Sequence, residues 1–234
     1  CGMVEAQVAQ GDDKPLIVAS MFGNTTDCIN IAAKVLEDAG YEVLIFHATG
    51  TGGKTMESLI ESGMVAGVLD LTTTEWADEL LGATLSAGPE RMDAMTKAKV
   101  PAVIAPGCLD MANYGERETL PEGHEDRTIY IHNPQVTLLR TNAEECAQLG
   151  KILAEKANAN SAPTAILNPR KAISIISAVG QPFHDVEADQ ALFDAIHANA
   201  QCEVVDFDEE INTEVFAQAA AHKLLGLINN SVTK

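Results

Sequence analysis

Basic side chains are scarce in this chain. Fifteen Lys and Arg stand against 34 Asp and Glu, a formal charge of −19 over 234 residues. So acidic a surface repels polyanions, which argues against nucleic acid as a partner but leaves room for one small anion in a locally positive pocket. Aromatic residues make up only 4%, too few for a base-stacking platform. No apolar run approaches the roughly 20 residues of a membrane span and no signal peptide is visible, so a membrane is not expected as a partner. The five cysteines, Cys1, Cys28, Cys108, Cys146 and Cys202, are scattered, odd in number, and lack metal-knuckle or redox spacing. They read as reduced thiols of a cytoplasmic protein. No internal repeat or low-complexity tract is present.

Hydrophobic residues, by contrast, make up 46% of the chain, enough for one or two compact domains with a substantial core. Cys1 to Lys14 is polar and reads as a linker or arm, and a first residue other than Met suggests a fragment or a processed product. Beyond it, short apolar runs alternate with helical patterns. Strands are expected at 16–20, 42–46, 65–71, 102–105, 128–131, 165–167, 173–176 and 202–207. Thr72 with Glu75, and Thr141 with Glu144, have capping-box spacing; Pro89 suits a first helical position; Asp185 and Asn212 read as N-caps. The polar excursion from Glu116 to Arg127 reads as a surface flap. This alternation predicts an α/β fold: a Rossmann-like, doubly wound, mainly parallel sheet with helices on both faces. Ligands of such sheets bind beyond the carboxyl ends of the strands. The polar segments after Ser20, Phe46, Leu71, Ala105 and Ile131 are therefore expected to meet on one rim.

The densest signal is His47-Ala48-Thr49-Gly50-Thr51-Gly52-Gly53-Lys54-Thr55, between a strand and a helix. Bare backbone amides and a helix dipole favour an anion there. The stretch nearly spells a P-loop, and Val68-Leu69-Asp70 resembles the accompanying magnesium-holding run, but Ala48 stands where the first glycine belongs. The open alternatives are a cradle for another anion, or a glycine turn needed only for close packing. On the first, Gly50, Thr51, Gly52 and Gly53 supply backbone donors, and Lys54 supplies charge. Arg91, after Ser86-Ala87-Gly88-Pro89, forms a second clamp or else a surface ion pair. Thr25, Thr26, Thr72, Thr73, Thr74, Gly88 and Asn133 complete the ligand-binding set.

His47, His132 and Asp110 are the acid–base candidates, each with a plain structural alternative. Asn113 and Asp110 follow a strand, as ligand-orienting groups often do. Cys108 reads as an inert thiol. Asp70, Glu75, Asp110 and His132 could hold a divalent ion, yet their spacing requires none, and no metal is assigned. The absence of a dinucleotide fingerprint argues against hydride transfer.

Seven motifs occur in order: 21–26 Met-Phe-Gly-Asn-Thr-Thr, 46–53 Phe-His-Ala-Thr-Gly-Thr-Gly-Gly, 69–75 Leu-Asp-Leu-Thr-Thr-Thr-Glu, 85–89 Leu-Ser-Ala-Gly-Pro, 109–111 Leu-Asp-Met, 132–134 His-Asn-Pro and 182–185 Pro-Phe-His-Asp. Together they resemble the C-terminal half of the Tm-one-like family, the family of the tomato mosaic virus replication inhibitor, from about Pro15 to the last helix. The resemblance implies a two-domain protein whose N-terminal half is linked to ATP. Residues 1–14 would then be a linker or the end of a missing N-terminal domain, and 15–234 the C-terminal α/β domain. ATP enters only by that analogy and through the missing half; no nucleotide residue transfers to this chain. A homodimer, and a partnership with the N-terminal domain, are implied in the same way. Lys54 stands where the family more often has arginine, and Cys108 where small residues are usual. The leading expectation is a small anionic or phosphorylated ligand at the rim. The alternatives are a protein-interaction module without catalysis, or a hydrolase or lyase acting on a small organic acid together with the missing domain.

Overall fold

The computed structural model describes residues 14–124 and 126–232. The arm expected over 1–14 lies outside them except for Lys14. Six strands, β1 (Leu16–Met21), β2 (Glu42–His47), β3 (Val65–Thr72), β4 (Ala102–Gly107), β8 (Thr164–Pro169) and β9 (Glu203–Phe207), form one sheet in the order β2-β1-β3-β4-β8-β9. Every pairing within it is parallel. Continuous apolar runs such as Leu16-Ile17-Val18-Ala19 suit strands covered on both faces.

Alternation along those strands sorts the core into two layers. Ile17, Ala19, Leu69, Leu71, Val103 and Ala105 pack under α1 (Thr26–Asp38) and α7 (Glu214–Val232). Val18, Val68, Ala102, Ile104 and Ile166 face the other way. There they meet α2 (Thr51–Glu61), α3 (Glu75–Leu81), α4 (Asp93–Ala98), α5 (Ala143–Ala159) and α6 (Val186–Asn199). The expected doubly wound α/β fold is therefore present.

Three segments depart from expectation. Met111–Tyr114 and Val136–Arg140 are strands, β5 and β7, which join β6 (Ile129–Asn133) in a second, antiparallel sheet ordered β5-β7-β6. β5 is four residues long and buried throughout, so it shows no alternation, and it follows β4 after only the three-residue turn Cys108-Leu109-Asp110. The expected strand at 173–176 is instead a 3-10 turn, Ile175–Ser177, capped by Ser174 Oγ.

Helix starts also shift. Residues 89–92 are turns, and α4 begins at Asp93, after Met92 in the left-handed region. Asn142 and Glu145, rather than Thr141 and Glu144, form the capping box of α5. Thr213 Oγ1, not Asn212, receives the Phe216 amide at the start of α7, while Asn212 bonds the Cys28 amide and the Asn24 carbonyl. Asp185 caps α6 as expected.

In the sheet order, β2 lies on one side of β1 and β3 on the other. The chain thus reverses direction across the sheet between β1 and β3, and the carboxyl ends of those strands flank a natural crevice. The second sheet stands over this rim: β5 contacts α3, and the Thr74 hydroxyl donates to the Met111 carbonyl at 3.4 Å.

Candidate functional site

The glycine turn after β2 is already occupied, and the expectation of an anion cradle there is corrected. The Gly50 and Gly53 amides both donate to Glu75 Oε1, at 2.7 and 3.1 Å. The Thr51 and Lys54 amides serve the Thr49 and Gly50 carbonyls. Glu75 does cap a helix N-terminus, but that of α2 rather than its own. A side chain at Gly52 would collide with the His47 carbonyl, and one at Gly53 with the Glu75 carboxylate. The glycines are there for close approach to the chain's own groups, the packing alternative left open by the sequence.

Arg91 is corrected likewise. It is 1% exposed and forks onto both oxygens of Asp70 at 2.7 Å, with Nε on Glu75 at 2.7 Å and Nη1 on Glu57 at 3.1 Å. Burial works against its charge, but Asp70, Glu75 and Glu57 hold it firmly protonated. Each carboxylate finds further donors. The Ser20 hydroxyl serves Asp70, and the Met92 and Ala94 amides serve Glu57. Asp70 therefore faces a guanidinium, not a magnesium ion. Lys54 is exposed and lines a groove with Glu57, Glu61, Glu90, Arg91 and Lys97, in which Arg91 pairs with Glu57 and Lys97 with Glu61.

The threonines are mostly internal. Thr25 and Thr72 bond each other at 2.8 Å, Thr73 bonds the Ala105 carbonyl, and Thr26 the Phe22 carbonyl; Thr25, Thr72, Thr73 and Thr74 are fully buried. The Gly88 amide bonds Ser86 Oγ, and exposed Asn133 receives the Gln135 amide. Cys108 is buried, and burial raises its thiol well above the ordinary range, so it is inert.

Asp110 is wholly buried, with Oδ2 on the Ser174 hydroxyl at 2.7 Å, and none of its atoms lines a cleft. Burial pushes its carboxyl up to about 6, against the pull of Arg140 and Ser174. Because the folded value lies above the unfolded one near 3.8, its stabilising contribution is complete below about pH 4 and is lost as pH rises through about 6. The loss is roughly 3 kcal/mol. Asp78, raised to about 7 mainly by burial, acts in the same direction. Asp110→Asn should therefore flatten part of the stability loss between about pH 4 and about pH 6 in denaturant titrations. An unchanged slope would reject this assignment.

Two of the three acid–base candidates do meet. A cleft of about 440 Å³ opens at the crevice between the sheet rim and the second sheet. Phe22, Gly23 and Asn24 enter it from the turn after β1, and His47 from the end of β2. Asn113, Tyr130, His132, Val136 and Leu138 come from the second sheet, and Ile175 and Ile176 from the 3-10 turn. Phe22 packs on the His47 ring at 5.2 Å, and Tyr130 lies 6.5 Å from the His132 ring. Among the described residues, no Asp or Glu lines the cleft. Phe22, Asn24, Tyr130 and Ile175 were not singled out by the sequence reading. The signal available for the first two was their place in the turn after β1, the strand at the sheet's reversal.

Comparison with known proteins gives the chain its relatives. A model described as the C-terminal domain of an uncharacterised protein family, UPF0261, matches residues 14–228. A UPF0261 protein of Clostridium tetani is 47% identical over 231 residues, covering 97% of this chain and 57% of the relative. The tomato ToMV resistance protein Tm-1(GCR237) is 39% identical over 210 residues, 88% of this chain and 28% of that protein. This chain thus spans little more than half of its bacterial relatives. Among solved structures, the pyrethroid hydrolase PytH with BIF overlays with a TM-score of 0.46 at 12% identity, over 94% of this chain and 99% of that one. No helix among the described residues is long and apolar enough to cross a membrane. The family model covers nearly the whole described chain, so the chain belongs to the UPF0261 family, through its C-terminal domain.

Proposed function

We propose that this domain binds a small anionic organic molecule in the cleft between the sheet rim and the second sheet. One observation carries the reading: in a chain of net charge −19, the described lining of this cleft holds two imidazoles and no carboxylate. Each imidazole carries a ring N–H group that can donate to the oxygens of an acidic ligand. The apolar wall of Tyr130, Val136, Leu138 and Ile176 suits a carbon skeleton, as ligand pockets generally do. The proposed anion position thus moves from the glycine turn after β2, which Glu75 fills, to the crevice beside it.

The reading is tested by thermal-shift and calorimetric titration with a panel of small carboxylates and phosphates. His47→Ala and His132→Ala should each weaken binding about tenfold or more, the worth of a charge-assisted hydrogen bond. No stabilisation by any member of the panel, or unaltered affinity in both variants, rejects it.

A second reading is a protein-contact module. Ile175, at the cleft, is 48% exposed, and Ile131 on β6 and Val179 are 53% and 76% exposed. Exposed apolar groups of this kind also mark interaction surfaces. The relatives' greater length supports the N-terminal domain as the partner.

A further inference from the structure

We infer that the ligand of this cleft carries a hydroxyl donor as well as its acidic group, and that Asn113 Oδ1 receives it. The inference rests on the reading of the cleft given above. Asn113 is 2% exposed and forms part of the cleft wall. Its backbone is satisfied: the amide donates to Asp78 Oδ1 at 2.8 Å, and the carbonyl accepts from the Thr84 amide at 2.8 Å. Its side-chain nitrogen donates to the same Asp78 oxygen at 3.0 Å and reaches Thr74 Oγ1 at 3.5 Å.

That leaves Oδ1, which is buried without a partner among the described residues. The amide cannot be turned over to cure this. A flip would set Oδ1 against the Asp78 oxygen, acceptor against acceptor. Asp78 therefore fixes the orientation, and its own carboxylate is held by the Leu85 amide at 2.6 Å. A buried acceptor left unmade is costly, so a ligand that supplies a donor gains more than an ordinary hydrogen bond would give.

The charge of the lining selects the kind of donor. An ammonium would enter a cleft whose described lining offers no carboxylate to balance it, whereas a hydroxyl needs none. With the two imidazoles for the acid and an apolar wall for the skeleton, the chemical class is a hydroxy acid with an apolar body. Sites built around a buried polar group discriminate strongly against ligands lacking its partner.

The experiment uses a matched pair, 3-phenyllactate and 3-phenylpropanoate, which differ by one hydroxyl, in calorimetric titration of the whole chain. The expected result is at least about tenfold tighter binding of 3-phenyllactate. Asn113→Leu should abolish the difference while leaving the weaker binding of 3-phenylpropanoate. Should that variant fail to fold, the comparison in the unaltered chain decides alone. Equal affinity for the two acids overturns the hydroxyl inference and leaves the anionic cleft standing. Binding of neither acid overturns both.

Discussion

Arg91→Met should cost the domain about 3–5 kcal/mol, the penalty for removing one partner of a buried ionic cluster. The guanidinium is the cation shared by Asp70, Glu75 and Glu57, and Asp70 and Glu75 are each 1% exposed. Without it, buried carboxylates face one another across the space it filled. The Ser20 hydroxyl and the helix-end amides remain, but they are neutral donors and cannot cancel the repulsion. For a domain of this size the loss corresponds to a melting-temperature drop of about 6–20 °C. Arg91→Lys should fall in between, because it keeps the charge but loses the two-pronged grip on Asp70. Thermal unfolding of the three proteins reads the effect. A Met variant within about 1 kcal/mol of the parent would show that the carboxylates relax to water, and that the cluster does not hold the rim.

Arg140→Ala should be comparably severe, at about 3–5 kcal/mol, and should also damage the cleft. Arg140, at the end of β7 and 3% exposed, reaches out of the second sheet to Asp189 of α6 at 2.6 Å. It also donates to the Phe183 carbonyl at 2.8 Å and the Thr141 carbonyl at 3.2 Å. Phe183 in turn meets the edge of Tyr130, one wall of the cleft. Arg140 also opposes the effect of burial on Asp110, so its loss should raise that carboxyl further. Denaturant titration measures the stability. Titration of the variant with 3-phenyllactate, under conditions where it is folded, measures the cleft. A folded variant with unaltered stability would show that β7 is held by its apolar contacts alone.

What the sequence disclosed followed from patterns with one physical meaning. Leu16-Ile17-Val18-Ala19 can only be buried on both faces, and amphipathic α1 and α2 around it imply parallel crossovers. That was enough for the main sheet. The second sheet was hidden because β5 and β7 are short and largely buried, and so lack the alternation that marks a strand. His47 and His132, which line the cleft, stood out in the sequence because they end apolar runs. The misassigned residues share one cause. Gly50, Gly53 and Arg91 have the chemistry of an anion site, and they do bind anions. Those anions are Glu75 and Asp70, carboxylates 25 and 22 residues from Gly50 and Gly53 and 21 from Arg91, and nothing local in the sequence announces the pairing.

His47 stands on β2, one of the two edge strands of the six. A margin strand tends to fray, yet this one is fastened at its tip. The Ala48 amide bonds the Met21 carbonyl, Gly52 presses α2 against the His47 carbonyl, and Glu75 ties the following turn to the start of α3. One imidazole of the cleft is thereby mounted on a braced post rather than a swinging arm. An incoming molecule would spend little of its affinity on freezing that side of the opening.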